Sequence, residues 1–195
     1  MKVAIYSGSF NPVHNGHLAV AEAALSEGFD EVWLLVSPQN PHKSKEELWP
    51  FADRLNMVEL AIANHPGMKA KDIENSLPLP SYTIDTLDYL QSIYPNDQFK
   101  LLIGGDNVLK FHLWKDYRRI LQTFGLIVYP RSAVLAQELI VHPNLRYIVA
   151  PLFDISSSAI RNRLSENQSI AQMVPVEVEK YILQNLNNNR SESSF

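Results

Sequence analysis

The stretch Gly8-Ser9-Phe10-Asn11-Pro12-Val13-His14-Asn15-Gly16-His17 joins a first predicted β-strand to a first predicted helix. The apolar run Val3–Tyr6 comes before it, and the helix-like run Leu18–Leu25 follows it. In an open α/β sheet, such a turn lies at the carboxyl end of a strand, where ligands bind. The N–H groups and the positive dipole end of the following helix suit an anion. The stretch therefore predicts an α/β fold with an anion site at its first turn.

Two glycines and two histidines give this turn its chemistry. Gly8 lets the backbone approach a ligand closely, and Gly16 removes a side chain between the histidines. His14 and His17 are three positions apart, so a helical turn here puts both rings on one side, where each can donate to a phosphate oxygen. The alternatives for these two histidines are a pair on the surface or at a helix cap, and a zinc site, although no third zinc ligand lies nearby in the sequence.

The decapeptide resembles the His-x-Gly-His signature of the nucleotidyltransferase superfamily, in the form typical of bacterial nicotinate-nucleotide adenylyltransferases. Ser7 stands where many members of that family have a glycine, and Gly8 keeps its place. The resemblance implies transfer of the adenylyl group of ATP to nicotinate mononucleotide, which gives deamido-NAD and pyrophosphate. It also implies a Rossmann-like nucleotidyltransferase fold (adenine nucleotide alpha hydrolase-like) with the strand order 3-2-1-4-5.

Composition and charge narrow the class of protein. The 195 residues, 46% of them hydrophobic, suit one domain, predicted as residues 1–186 with a polar C-terminal tail at 187–195. The lack of cysteine excludes disulfides and cysteine-based metal sites, and it fits a cytoplasmic protein. A formal charge of −4 argues against a nucleic-acid partner, although a small site can be locally positive. We expect no signal peptide and no membrane span, and a homo-oligomer stays open.

Apolar runs that alternate with helix-like segments predict a three-layer, doubly wound and mostly parallel sheet. Further strands are predicted at Glu31–Val36, Met68–Glu74, Phe99–Ile103, Phe124–Tyr129 and Arg146–Ala150. Further helices are predicted at Pro50–Ile62, from a Ser81-Tyr82-Thr83 cap through Leu90, at Val108–Leu113, at Tyr117–Leu121, from Ala159 and at Val176–Leu186.

A second anion site is predicted at Ile155-Ser156-Ser157-Ser158-Ala159-Ile160-Arg161. Three consecutive hydroxyls open a helix, so side-chain and backbone donors converge at its positive end. Arg161 shares a face with Ser157 and Ser158 and carries a fork of donors that suits phosphate. A serine-rich cap with a solvated arginine is the structural alternative. The segment resembles the Ile-Ser-Ser-Thr-x-Ile-Arg motif of the same superfamily, with Ser158 in place of threonine.

The strand predicted at Phe99–Ile103 ends in Gly104-Gly105-Asp106, where Asp106 can accept from a ribose hydroxyl or cap a helix. The Gly-x-Asp of the resembling family helps to bind the ATP ribose, which implies this role for Gly104 and Asp106. Lys43, in a proline-broken loop, is a phosphate contact or a solvated lysine, and His42 beside it has less support. Three further histidines lie in no motif and are assigned no role: His65, His112 and His142.

An isolated tryptophan is most often part of a core. Only the resemblance therefore assigns Trp114 to the mononucleotide site. In the resembling family, a tryptophan in Gly-x-Asp…Trp stacks on the pyridine ring of the mononucleotide. The Ser81-Tyr82-Thr83 segment also resembles that family, which holds the nicotinate carboxylate largely through backbone N–H groups. The resemblance therefore implies backbone contacts from Thr83, Ile84 and Lys115.

The candidate site residues form three groups, which are catalytic, ATP-binding and mononucleotide-binding. His14, His17 and Arg161 are expected to be catalytic, with Mg²⁺ as a cofactor held mainly by phosphates because no carboxylate cluster is visible. The residues expected to bind ATP or its phosphates are Gly8, Ser9, Phe10, His14, Gly16, His17, Lys43, Gly104, Asp106, Ile155, Ser156, Ser157, Ser158 and Arg161. Those expected to bind nicotinate mononucleotide are Ser9, Phe10, Thr83, Ile84, Trp114 and Lys115.

Other activities on the same fold stay open. A nicotinamide-mononucleotide adenylyltransferase is the nearest alternative. Phosphopantetheine adenylyltransferases usually have threonine where this chain has His14, and cytidylyltransferases end in a different arginine-serine motif. A non-catalytic nucleotide sensor would bind ATP without releasing pyrophosphate, and the presence of His14, His17 and Arg161 argues against it.

Overall fold

Six parallel strands form one sheet with the first strand in its interior. The computed structural model describes residues 1–38, 48–77, 82–129, 142–149 and 154–186. The strands are β1 Lys2–Gly8, β2 Glu31–Val36, β3 Met68–Lys71, β4 Gln98–Gly104, β5 Leu126–Tyr129 and β6 Leu145–Tyr147. They lie in the order β3-β2-β1-β4-β5-β6, and each pairing is parallel. The implied order 3-2-1-4-5 is confirmed, with β6 added beside β5.

Helices cover both faces of the sheet. They are α1 Asn15–Ser26, α2 Phe51–Ile62, α3 Thr83–Ile93, α4 Gly105–Val108, α5 Tyr117–Arg119, α6 Ser157–Ser165 and α7 Val176–Tyr181. Side chains of β1 alternate between two apolar clusters: Ala4 and Tyr6 pack with α1, α2, α6 and α7, whereas Val3 and Ile5 pack with α3. The predicted three-layer, doubly wound architecture is therefore confirmed.

Two strands differ from the prediction at their ends. β5 begins at Leu126 because Gly125, with φ of 79°, separates it from the π-helical residues Ile120–Phe124. A Cβ at Gly125 would lie 2.7 Å from the carbonyl oxygen of Asn144, so the chain passes too closely for another residue. β3 ends at Lys71, and the chain then forms a 3₁₀ turn at Ile73–Ser76.

Two other segments also depart from the prediction. β6 spans Leu145–Tyr147 rather than Arg146–Ala150, and Ala150 lies outside the described residues. The helix predicted at Val108–Leu113 is instead α4 followed by a 3₁₀ turn at Phe111–Leu113. Val108 at the end of α4 and Phe111 at the start of the 3₁₀ turn are both buried.

The order of the strands positions the candidate site. The chain builds β2 and β3 on one side of β1 and then crosses to place β4 on the other side. In open α/β sheets, such a reversal opens a crevice at the carboxyl ends of the neighbouring strands, where ligands bind. The turn from Gly8 to His17 leaves the sheet at this point. None of the helices in the described ranges has the length and apolar character needed to cross a membrane.

Candidate active site

The two histidines stand where β1 gives way to α1. His14 has an extended backbone, with φ of −148° and ψ of 168°, and occupies the cap position of α1, and His17 lies in the first helical turn. Their rings are 3.7 Å apart between centroids, with planes inclined by 30°. Both side chains are buried, with exposed fractions of 3% and 9%. The spacing thus brings both rings to one side of the turn, as predicted.

A hydrogen bond determines which nitrogen of His17 carries the proton. The backbone N–H of His14 donates to Nδ1 of His17 at 3.2 Å. Because Nδ1 is an acceptor, a neutral His17 ring carries its proton on Nε2. The ring of Phe10 packs edge-on against His17 at a centroid distance of 5.0 Å. His17 is therefore oriented with Nε2–H as its donor.

The first turn of α1 has fewer N–H groups for a ligand than the sequence suggests. The N–H of Asn15 donates to the carbonyl of Met173 at 2.9 Å, and the N–H of His17 donates to that of His14 at 2.8 Å. Of the first three N–H groups of α1, only that of Gly16 lacks such a bond within the described segments. An anion at this turn would meet chiefly the imidazoles and Gly16.

The second predicted motif contacts the first. Ser156 caps α6 by accepting from the N–H of Ala159 at 3.1 Å, so the helix begins at Ser157 rather than at the predicted Ala159. The hydroxyl of Ser157 donates to the carbonyl of Pro12 at 3.0 Å. The guanidinium of Arg161 donates from Nη1 to the carbonyl of Asn11 at 2.8 Å and from Nη2 to Ser158 Oγ at 3.4 Å. The fold therefore joins the two segments that the sequence assigned to phosphate.

Asp106 lies at the same edge of the sheet as the histidines. Gly104 ends β4 and Gly105 begins α4, and both are buried, whereas Asp106 in the first turn is exposed. Since β4 pairs with β1 in parallel, the carboxyl ends of both strands face the same side. The contact of Asp106 with a ribose stays a prediction.

An ion pair links the two segments assigned to the pyridine ring. Nζ of Lys115 lies 2.9 Å from both carboxylate oxygens of Asp85 in α3 and 4.7 Å from the centroid of the Tyr82 ring. The hydrogen bond with Asp85 raises the pKa of Lys115, so its ammonium stays charged. Trp114, which precedes Lys115, is half-buried and packs on Phe111 at 5.5 Å between centroids. The segment after Trp114 is thus held against the start of α3.

The start of α3 fits backbone recognition better than side-chain recognition. Tyr82 is the cap residue, and its carbonyl accepts from the N–H groups of Asp85 and Thr86. Thr83 and Ile84 occupy the first two helical positions, where N–H groups have no intrahelical acceptor. The side chain of Ile84 is 1% exposed and belongs to the core, so a ligand could reach only its backbone.

Sequence reasoning missed two buried charged residues at this edge, Arg54 and Glu74. Burial lowers the pKa of Arg54 and raises the pKa of Glu74, whose carboxylate accepts from Ser7 Oγ at 2.7 Å. Arg54 had a detectable signal, because it falls on the apolar stripe of α2. The buried positions of that helix are Arg54, Met57, Val58, Ala61 and Ile62. Glu74 lies in a short 3₁₀ turn with no periodicity to reveal it.

Some predicted residues cannot be placed in the site. Lys43 and His42 lie in 39–47, and the predicted tail lies in 187–195, both outside the described residues. Within the part of the chain that the structure describes, no three His, Cys, Asp or Glu side chains cluster as metal ligands. The roles of the individual site residues, and of Mg²⁺, stay predictions.

The chain is similar to a group of proteins that share one name. It is 47% identical to a "Probable nicotinate-nucleotide adenylyltransferase" of Cytophaga hutchinsonii, over 94% of this chain and 96% of that one. It is 42% identical to a protein of the same name from Bacteroides fragilis, over 94% of this chain and 92% of that one.

A solved structure shares the fold. It is the Plasmodium falciparum nicotinic acid mononucleotide adenylyltransferase complexed with NaAD, with a TM-score of 0.77, 23% identity and coverage of 94% of this chain and 95% of that one. The sequence profile of the cytidylyltransferase-like family matches residues 5–163, which include both the histidine turn and Arg161. With this match and with relatives of such identity along nearly its whole length, the chain belongs to the cytidylyltransferase-like family and, within it, to the nicotinate-nucleotide adenylyltransferases.

Proposed function

We propose that the protein transfers the adenylyl group of ATP to nicotinate mononucleotide, giving deamido-NAD and pyrophosphate for NAD biosynthesis. Relatives that are 38% to 47% identical and carry the corresponding name support this substrate pair. The observation that supports it most within the fold is the 2.8 Å bond from Arg161 to the carbonyl of Asn11. It unites two candidate phosphate-binding segments at one edge of the sheet.

The reaction requires alignment of the two substrates and does not require a general base. The phosphate of the mononucleotide is already anionic at neutral pH, so one of its oxygens can form a bond to the α-phosphorus of ATP directly. The bond from that phosphorus to the bridging oxygen breaks, and pyrophosphate leaves. Catalysis then depends on in-line placement and on donors for the charge that spreads over the phosphates. His14, the Nε2–H of His17 and the guanidinium of Arg161 are the donors we assign to this task.

Mg²⁺ is the proposed cofactor, carried largely by the phosphates of ATP. Mg²⁺ commonly keeps several waters and binds through one or two carboxylates plus substrate phosphates. We therefore assign the ion to the substrate phosphates and not to a dedicated protein site. When bound, the ion would neutralise part of the triphosphate charge, and the protein groups named above would orient the phosphates.

The acid form of the mononucleotide is the preferred substrate in this proposal. The pyridine ring would stack on Trp114, with its carboxylate toward the N–H groups of Thr83 and Ile84. The ion pair between Lys115 and Asp85 holds these two segments together. Backbone donors can pair with both oxygens of a carboxylate, whereas they meet the NH₂ of a carboxamide donor to donor. ATP and nicotinate mononucleotide are thus the proposed small-molecule partners, with the cytoplasm as the proposed compartment.

Pyrophosphate release tests this function. The purified protein is incubated with ATP and Mg²⁺ together with nicotinate mononucleotide, nicotinamide mononucleotide or phosphopantetheine. We expect release with the first substrate, weaker release with the second and none with the third. Greater release with either of the others would replace the proposed acceptor, and ATP binding without any release would indicate a nucleotide sensor.

A further inference from the structure

The proposed mechanism makes no direct use of Arg54. Among the described residues, it has the largest side chain that is fully buried. Only 1% of Arg54 is exposed, and it reaches from the first turn of α2 toward the carboxyl edge of the sheet. A guanidinium stays charged in proteins, and burying a charge without partners is costly. Its contacts therefore indicate why the chain keeps it there.

Four backbone carbonyl oxygens surround this guanidinium. Nε donates to Trp49 O at 2.9 Å, and Nη2 donates to Pro38 O at 3.2 Å. Nη1 donates to Ser9 O at 2.8 Å and to Ser37 O at 2.7 Å. A carboxylate acceptor would indicate charge neutralisation. Carbonyl acceptors indicate instead that Arg54 fixes the main chain, and it does so after β1, after β2 and before α2.

The bond to Ser9 determines how the catalytic turn presents its peptide groups. In a trans peptide, the C=O and the N–H point in opposite directions. Because the carbonyl of Ser9 points to Arg54, the N–H of Phe10 points away from it. The preceding peptide is fixed in the same manner, since the N–H of Ser37 donates to the carbonyl of Gly8 at 2.9 Å. Hydrogen bonds from Arg54 and Ser37 thereby orient two successive peptides of the turn.

Phe10 links these fixed peptides to His17. Phe10 has φ of 43°, a conformation that an L-residue adopts only when its neighbours enforce it. Its ring is 2% exposed and packs against His17. A rotation of the Ser9–Phe10 peptide would therefore move a ring that packs against His17.

We propose that Arg54 is a positioning residue for adenylyl transfer, because its buried guanidinium fixes the Ser9–Phe10 peptide and, through the Phe10 ring, His17. This role rests on the proposed function for its kinetic readout. Its structural part can be measured separately.

The test compares Arg54→Lys with a control of similar stability loss. Lysine keeps the charge but cannot span four carbonyls. Misplacement of reacting groups by about 1 Å can cost roughly 10²-fold in rate, so we expect kcat to fall about that much while KM for ATP changes less than about threefold. The control is Leu90→Ala, a fully buried position of α3 on the opposite face of the sheet. It should lower the Tm and leave kcat near that of the wild type.

Each outcome decides the proposal. An Arg54→Lys enzyme that folds and turns over normally overturns it, as does an equal loss of kcat in Leu90→Ala. Phe10→Leu tests the link to His17 without touching Arg54, and a wild-type kcat in that variant overturns the link even if Arg54→Lys does not fold. Amide NMR separates this proposal from the reaction itself. If the wild type transfers no adenylyl group, the proposed function fails, whereas Arg54→Lys must still shift the Phe10 amide and Leu90→Ala must not.

Discussion

Replacing Gly8 with alanine probes how tightly the catalytic turn is packed. Gly8 is not among the glycines with positive φ, so alanine meets no special backbone strain there. The added Cβ would lie 3.2 Å from Cζ and 3.3 Å from Cε2 of the Phe10 ring. That ring is held between Tyr6 and His17, at centroid distances of 5.6 Å and 5.0 Å. It must therefore yield by a few tenths of an ångström, which disturbs its contacts with these two rings.

The size of the effect follows from this contact. Overpacking of a well-filled core costs about 1–3 kcal/mol, and we expect Gly8→Ala to lower the free energy of unfolding by that amount. Phe10→Leu removes the ring carbons that clash. The two substitutions should therefore show a coupling energy of about 1 kcal/mol or more in a double-mutant cycle. Turnover of Gly8→Ala should fall as well, since the displaced ring contacts His17.

Urea unfolding and pyrophosphate release on the four proteins of the cycle provide the assay. Gly28→Ala is the control, because a Cβ at Gly28 has nothing within 4 Å but the residue has φ of 88°. It should lose stability through backbone strain and keep its kcat. Additive stability losses in the cycle, or normal turnover in Gly8→Ala, would refute the packing argument. A double variant that regains stability but stays slower than Phe10→Leu would show that a ligand approaches Gly8 closely.

Three further substitutions have defined outcomes. His17→Ala should lower kcat by about 10²–10³ with little change in ATP affinity, measured by steady-state kinetics and calorimetry, because it loses one donor to developing charge. Arg161→Lys should be slower than the wild type, since an ammonium cannot hold Asn11 and a phosphate with the same planar fork; unchanged kinetics would exclude that role. Burial raises the pKa of Glu74, so folding favours its protonated form, and stability declines as pH rises from the ordinary glutamate pKa to the raised one. Glu74→Gln should remove up to about 1.4 kcal/mol of that decline per pH unit, and unfolding free energies that change with pH in parallel for the two proteins above the ordinary glutamate pKa would contradict it.

The sequence predicts the sheet and both anion-binding segments well because each depends on local pattern. β1 and β2 are buried on both faces, so their runs are almost wholly apolar and easy to recognise. The cap of α6 depends on Ser156, and serine at that position is a strong local preference. These features need no knowledge of distant residues.

What the sequence does not predict depends on contacts between distant segments. The bond from Arg161 to Asn11 spans 150 positions, and the late start of β5 follows from the approach of Asn144 to Gly125. Arg54 lies on an apolar stripe, so the sequence indicates that it is buried but not what it binds. Its carbonyl acceptors come together only when β1 and β2 pair. The motif likewise does not predict that the N–H of Asn15 donates to the carbonyl of Met173 and is unavailable to a ligand.

Transfer of label from ATP to the acceptor tests the central claim most directly. ATP labelled at its α-phosphate is incubated with Mg²⁺, the protein and equal amounts of nicotinate and nicotinamide mononucleotide, and the dinucleotides are separated. We expect the label in deamido-NAD, with a preference of roughly tenfold to ten-thousandfold over NAD from two mismatched backbone donors. Equal labelling, or a preference for NAD, would contradict the assignment of the nicotinate pocket, and label that stays in ATP or appears only in AMP would contradict adenylyl transfer itself.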